Sequence, residues 1–301
     1  MPTKSKILDG KKSSESIISD VEQEIISLLN DDMNPPKLGV VLVGNNPASE
    51  SYVRNKIRAC KKAGIEHILI KLDETISENE LLIEIDKLNK SDIDGFIVQL
   101  PLPSHIDMQN IINSIDPSKD VDGFHPINFG KTALGLPSMK PATPYGILKL
   151  IKMNKIETKG KHVVVVGRSN IVGKPLSIML GNDFSIGRAT VTSCDINTPK
   201  NLLLSELKRA DIIIIAVGRP GFLTGDMVKE GVIVIDVGIN KVDGKIIGDV
   251  EFDSVYEKCS LITPVPGGVG PMTISALVIN TLNSWKSKYK IKTKRYEKGN
   301  L

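Results

Sequence analysis

His162–Val163–Val164–Val165–Val166–Gly167–Arg168–Ser169–Asn170–Ile171–Val172–Gly173–Lys174–Pro175 decides the fold. Four consecutive valines read as a strand buried on both faces, the habit of a parallel sheet. Gly167 ends the run, and a helix opens around Gly173, with proline tolerated in its first turn. A glycine turn between strand and helix exposes backbone amides at the positive end of the helix, which suits a pyrophosphate. The spacing departs from G-x-G-x-x-G, because Ser169 and Gly173 stand in for the later glycines.

Downstream, strands are expected at 189–193, 211–217 and 232–237 with helices between them. With 162–166 they make a Rossmann-like unit. Thr263–Pro264–Val265–Pro266–Gly267–Gly268–Val269–Gly270–Pro271–Met272–Thr273 follows. Its three prolines and three glycines predict a rigid loop whose backbone can approach a ligand closely. A last helix, 274–285, is expected to return to the first domain.

Upstream, residues 12–30 have helical spacing, and 38–43 is a short apolar run read as a buried strand. Asn46 as N-cap and Pro47 as first helical residue open the next helix. On it Ser49, Tyr52 and Lys56 share one face, while Val53, Ile57 and Cys60 form an apolar stripe beneath. Lysine is the cation whose pKa moves readily on burial, so Lys56 beside Tyr52 is a candidate acid or base. The helix stops at Gly64. A strand at 67–72, a capping box of Ser77 with Glu80, and a strand at 94–99 follow. Strand–helix–strand–helix–strand implies a parallel sheet, with ligands beyond the carboxyl ends of its strands. Lys56 and Gln99 are therefore expected on the same edge. The loop 116–125 holds Asp120 and Asp122, and loop aspartates commonly satisfy backbone amides. The prolines of 134–144 mark a boundary, after which Thr143–Pro144 starts another helix.

The length of 301 residues suits about two domains. Hydrophobic content of 41% and charged content of 25% are those of a soluble globular protein. Cys60, Cys194 and Cys259 are far apart, which argues against a disulfide framework or zinc site and fits a reducing compartment. The four histidines are scattered, and no metal is expected. The first ten residues lack the apolar core of a signal peptide, and no apolar run approaches the roughly 18 residues that span a membrane. The net charge of +4 is local: residues 286–301 carry seven Lys/Arg and one Glu, leaving 32 basic against 34 acidic residues elsewhere. A solvated terminal tail accounts for this.

Several motifs occur in order: ASESYVRNK (48–56), VQLPLP (98–103), KDVDGF (119–124), PATPYG (141–146), GRSNIVGKP (167–175), VIDVGIN (234–240) and TPVPGGVGPMT (263–273). Together they resemble the bifunctional methylenetetrahydrofolate dehydrogenase/methenyltetrahydrofolate cyclohydrolase family from about Leu8 to Trp285. The resemblance implies an α/β fold of two domains. Residues 1–145, with a returning helix at 272–288, would form the folate-binding catalytic domain. Residues 146–271 would form the Rossmann-like NAD(P) domain, and 289–301 a basic tail.

Members of the family oxidise 5,10-methylenetetrahydrofolate to the methenyl form by hydride transfer, then hydrolyse it to 10-formyltetrahydrofolate, in one cleft between the domains. The resemblance implies that Lys56 is the acid/base of hydrolysis, that Tyr52 stacks on the folate, that Gln99 tunes Lys56, and that Asp122 holds the pterin. Ser49, Val98, Leu100, Pro266, Gly267, Gly268, Gly270 and Pro271 would line the substrate pocket. Gly167, Arg168, Ser169, Gly173, Asp195 and Ile239 would hold the cofactor. Activating water for hydrolysis suits a lysine in a neutral, partly desolvated setting. The family implies a cytoplasmic homodimer with no membrane or nucleic-acid partner.

The sequence departs from the family pattern at two places. Ala142 replaces a usual cysteine, and Asp195–Ile196 replaces the His–Ser of many relatives. NADP is the expected cofactor, with Arg168 as partner of its 2′-phosphate. Asp195 makes NAD the alternative, since an acidic residue after the second strand commonly bonds the ribose 2′-hydroxyl. It lies 28 residues from Gly167, against a usual spacing of about 20. A short-chain dehydrogenase also uses YxxxK, but there the nucleotide turn precedes the motif. A nucleic-acid binder working through the basic tail would leave the Gly/Pro segment without a purpose.

Overall fold

The computed structural model describes residues 6–30, 33–182 and 186–291, so the tail beyond residue 291 lies outside the described residues. The chain forms two compact units. One holds Glu15–Ala142 and the stretch from Ile274, and the other holds the chain up to Ser14 and Thr143–Thr273.

The first unit is entered through α1 (Gly10–Leu28). It continues with β1 (Lys37–Val43), α2 (Pro47–Lys62), β2 (Glu66–Leu72), α3 (Glu78–Lys90), β3 (Gly95–Val98), α4 (Met108–Ser114) and α5 (Pro126–Ala133), and is left through α6 (Ala142–Met153). Its sheet is parallel with order β2-β1-β3. Val41, Val43, Phe96 and Val98 of the sheet pack on Leu81 and Ile85 of α3 and Ile111 of α4. The expected caps are present. Asn46 accepts from the Ala48 and Ser49 amides, and Ser77 and Glu80 close a reciprocal capping box. Such a cap is worth about 1 kcal/mol. At α2 it fixes where the helix begins, and so which face Lys56 occupies. The helix read from Thr143 begins at Ala142, whose amide donates to the Asp122 carbonyl at 3.1 Å.

The second unit contains β4 (His162–Val166), α7 (Gly173–Gly181), β5 (Thr190–Cys194), α8 (Lys200–Arg209), β6 (Ile212–Ile215), β7 (Ile233–Asp236), β8 (Asn240–Val242), β9 (Lys245–Ile247), α9 (Phe252–Lys258) and β10 (Leu261–Ile262). Five parallel strands run in the order β10-β7-β6-β4-β5. Val163–Val166 and Ile212–Ile215 are almost wholly buried. Each such side chain contributes roughly 1.5–3 kcal/mol of burial. The first strand lies between the second and third, so the topology reverses between β4 and β6. Open α/β sheets bind ligands at such a point, beyond the carboxyl ends of the strands. Ile7 pairs with Ile262 beside β10, and β8 and β9 form a separate antiparallel hairpin.

The last helix, α10 (Val269–Lys288), starts five residues before the expected 274. Pro271 sits in its first turn, where no intrahelical N–H bond is required. The rigid segment is thus 263–268. From Ile274 on, α10 returns to the first unit. The Asn280 side-chain amide donates to the Val121 and Lys140 carbonyls, both at 2.8 Å, and Trp285 Nε1 donates to the Asn34 carbonyl at 2.8 Å. Lys286 pairs with Glu24.

Candidate functional site

Within the first unit, α2 presents Lys56 toward the carboxyl ends of β1 and β3. Lys56 is only 4% exposed. Its Nζ donates to Gln99 Oε1 at 3.2 Å, lies 3.8 Å from Asp122 Oδ1, and stands 5.5 Å from the centre of the Tyr52 ring. That last distance is within cation–π range. The Gln99 Nε2 donates to the Leu100 carbonyl at 2.6 Å, which leaves Oε1 turned to the lysine. Lys56 and Gln99 meet as expected, because Val41 of β1 pairs in register with Val98 of β3. The Asp122 carboxyl, an acidic group that the expected Tyr52 and Gln99 setting does not include, also faces Nζ.

Asp120 and Asp122 divide two tasks. Asp120 accepts from the Gly123, Phe124 and His125 amides and from the Asn128 side chain, so it builds the loop. Asp122 faces Lys56. Burial pushes the Asp122 carboxyl well above the ordinary carboxylate range, against the pull of the Lys56 ammonium; the Asp120 charge adds to the rise. Val98, Leu100, Asp122 and Phe124 line a small cavity here. Ser49 is buried on the same helix, and Tyr52 is half-buried. Cys60, one turn beyond Lys56, is fully buried and its thiol is raised by desolvation to about 12, so it is inert.

Pro266, Gly267, Gly268, Gly270 and Pro271 belong to the second unit. The Gly267 carbonyl accepts from the Lys11 amide at 2.9 Å, and the Pro271 carbonyl accepts from Ser14 Oγ at 3.0 Å. A Cβ on Gly10 would collide with the Gly268 carbonyl, so residues 10–14 lie directly against this segment.

At the carboxyl edge of the five-stranded sheet, Gly167 has φ +113°, and a Cβ there would collide with the Ala216 carbonyl after β6. A Cβ on Gly173 would collide with the Gly167 carbonyl. Both positions therefore require glycine, and the backbone of the turn is bare at each of them. Ser169 Oγ accepts from the Val172 amide at 3.1 Å. Arg168 reaches across to β5, donating to the Ser193 carbonyl at 2.9 Å and pairing with Asp195 at 3.5 Å. Asp195 also accepts from the Asn197 amide at 2.9 Å, while Ile196 and Ile239 are exposed.

Two buried carboxylates behind this edge escaped the sequence reading. Asp236 accepts from the Gly238, Asp249 and Val250 amides. Burial raises its carboxyl from 3.8 to about 6, opposed by those hydrogen bonds. Asp249 accepts from the Val217 and Gly218 amides and from the Asn240 side chain. The available signal was the pair of Asp residues flanking the hairpin, one of them inside VIDVGIN.

The bare turn, the switch point and an exposed Arg168 fit the pyrophosphate and ribose end of a dinucleotide. Comparison with known proteins agrees. Residues 8–122 match the catalytic domain of the tetrahydrofolate dehydrogenase/cyclohydrolase family, and residues 141–289 match its NAD(P)-binding domain. Bifunctional protein FolD 1 of Geobacter metallireducens is 56% identical over 286 residues, covering 94% of this chain and 99% of the relative. The crystal structure of the bifunctional FolD dehydrogenase/cyclohydrolase of Campylobacter jejuni is similar at TM-score 0.89 and 49% identity, covering 94% of this chain and 99% of that one. The Trypanosoma brucei enzyme, solved with NADP and an inhibitor, is similar at TM-score 0.89 and 33% identity, covering 94% and 98%.

Proposed function

Because the chain belongs to the tetrahydrofolate dehydrogenase/cyclohydrolase family, we propose that it oxidises 5,10-methylenetetrahydrofolate to 5,10-methenyltetrahydrofolate with NADP and hydrolyses the product to 10-formyltetrahydrofolate. One observation within the chain carries this reading: Lys56 is buried in contact with Gln99 and Asp122 beside the Tyr52 ring. NADP, when bound, accepts the hydride, and that chemistry belongs to the cofactor.

The chain's own residues do the rest. Asp122, kept dry, offers carboxylate oxygens to the amino and ring N–H groups of the pterin. Tyr52 supplies an aromatic face for the folate. When water adds to the methenyl carbon, one of its protons leaves through Lys56 Nζ and the other goes to N5 as the bond from that carbon to N5 breaks, leaving the 10-formyl group. Gln99, oriented by its bond to the Leu100 carbonyl, holds Nζ in place. Ser49, Val98, Leu100, Pro266, Gly267, Gly268, Gly270 and Pro271 are assigned to the substrate pocket. Gly167, Ser169 and Gly173 would cradle the pyrophosphate through backbone amides, with Arg168, Asp195 and Ile239 around the nucleosides.

On this reading residues 1–145 with 272–288 are the folate-binding catalytic domain and 146–271 the cofactor domain. The enzyme is a cytoplasmic homodimer without a nucleic-acid partner, and its product supplies formyl groups for purine synthesis. No helix among the described residues is long and apolar enough to cross a membrane. The pairing of Arg168 with Asp195 favours a second reading, an NAD preference.

Absorbance of methenyltetrahydrofolate, formed from the methylene substrate with NADP or NAD and then decaying by hydrolysis, tests both activities. Absence of either signal would overturn the bifunctional reading. Sedimentation equilibrium tests the dimer.

A further inference from the structure

Asp249 is fully buried, so its side chain touches no ligand, yet its two oxygens reach two different loops of the cofactor edge. Oδ2 accepts from the Val217 and Gly218 amides at 2.7 and 2.9 Å. These amides belong to the turn after β6. Oδ1 accepts from Asn240 Nδ2 at 2.8 Å, at the start of β8, where the segment after β7 enters the hairpin. The Asp249 amide in turn donates to Asp236 Oδ1 at 3.0 Å, and Asp236 Oδ1 also accepts from the Gly238 amide at 2.8 Å.

We propose that Asp249 is a positioning residue for the dinucleotide: its carboxylate clamps the turn after β6 to the start of the β8 hairpin that follows β7, setting the edge on which the cofactor lies. The inference rests on the NADP reading above and assigns how this chain holds that site in shape.

The chemistry requires a carboxylate. Three N–H donors converge on two oxygens, and an ionised Asp accepts at both. The geometry requires a short one. A Cβ on Gly238 would collide with the Asp249 carboxylate, so the group fills the space over a bare glycine and a longer Glu has no room. The consequences reach the ligand edge by contact. Ala216, next to the clamped Val217, has its carbonyl against Gly167, so a shift of the β6 turn displaces the phosphate turn. Ile239 stands between Gly238, pinned by Asp236, and Asn240, pinned by Asp249.

A merely structural residue would lower thermal stability and both activities together. A positioning residue separates them, because methenyl hydrolysis needs no nicotinamide cofactor. The test uses Asp249→Ala and Asn240→Ala in the full chain. Equilibrium NADP binding, KM and kcat of the dehydrogenase, the rate of methenyl hydrolysis and thermal unfolding are measured on each. Asp249→Ala should weaken NADP binding by about tenfold or more, since the Val217 and Gly218 amides lose their acceptor and the turn that abuts Gly167 is released. The KM for NADP should rise more than kcat falls, and hydrolysis should stay within about twofold of wild type.

Should Asp249→Ala fail to fold, Asn240→Ala decides. It removes the bond to Asp249, along with a long 3.4 Å bond to the Ile247 carbonyl, at a half-buried hairpin residue, and should weaken NADP binding several-fold with the unfolding temperature nearly unchanged. NADP binding equal to wild type in a folded Asp249→Ala or Asn240→Ala protein, or hydrolysis falling in parallel with dehydrogenase activity, would overturn the clamp alone. Wild-type protein that binds no NADP would overturn the cofactor reading and the clamp with it.

Discussion

The Arg168 guanidinium lies 3.5 Å from the Asp195 carboxylate, at the carboxyl ends of β4 and β5. The cation proposed as partner of a 2′-phosphate is therefore already engaged by an anion. Both side chains are partly exposed, and such pairs are worth only about 0.2–1 kcal/mol, so a phosphate can displace the carboxylate. Asp195→Ser should raise the NADP/NAD ratio of kcat/KM by roughly two- to fivefold, the upper part of what that energy allows. A ratio that stays level would mean that Asp195 does not read the ribose.

Lys56→Met should abolish methenyl hydrolysis above the spontaneous rate and reduce the dehydrogenase less. The fold should survive. Once Lys56 is gone, Asp122 has lost its counter-charge, but burial already favours its neutral form, so it takes up a proton. A melting curve beside the hydrolysis assay checks both halves. Wild-type hydrolysis by the variant would remove Lys56 from the mechanism.

Asp122→Asn should weaken folate binding more than NADP binding. A hydrogen bond to a charged group is worth roughly 1.5–3 kcal/mol, so folate affinity should fall by about 10- to 150-fold. Titration of the folate against the purified variant measures it. Unchanged affinity would make Asp122, like Asp120, a loop-building residue.

Asp236 predicts an inverted pH dependence. Its folded carboxyl, raised by burial to about 6, exceeds the ordinary 3.8, so between those values the folded chain holds a proton that the unfolded chain has lost. Its contribution to stability is then largest near the acid end of that window and falls as pH rises through it. Asp211, lowered chiefly by its hydrogen bond from Lys229, has the opposite sign: its contribution is lost as pH falls. The difference in urea-unfolding free energy between wild type and Asp236→Ala should shrink as pH rises from about 4 to about 6. A difference that grows with pH would refute the assignment.

Local chemistry was legible where it is self-sufficient. The valine run of β4, the isoleucine run of β6, the Asn46–Pro47 cap and the Ser77–Glu80 box state their conformations within a few residues. The meeting of Lys56 with Gln99 followed from the parallel order alone. β10 was not legible, because two residues become a strand only by pairing with β7 and with Ile7, more than 250 positions away. The start of α10 was obscured by Gly270 and Pro271, which a first helical turn tolerates. Asp236 and Asp249 look like surface residues in a sequence. Their value as acceptors depends on amides that converge only after the sheet has formed.

The Asn280 and Trp285 bonds of α10 and the β10 pairing with Ile7 have a consequence for synthesis. The first unit is tied to residues 274–285, and the second joins residue 7 to residue 262. A ribosome delivers the chain from its amino end, and domains ordinarily fold as they emerge. Here neither unit can be completed until residues past 260 have been made. The nascent chain then carries the incomplete edge beside β7, and the surface that α10 will cover, for most of its translation. Shielding of that surface during synthesis, rather than the stability of the finished enzyme, is where its yield in a cell would be decided.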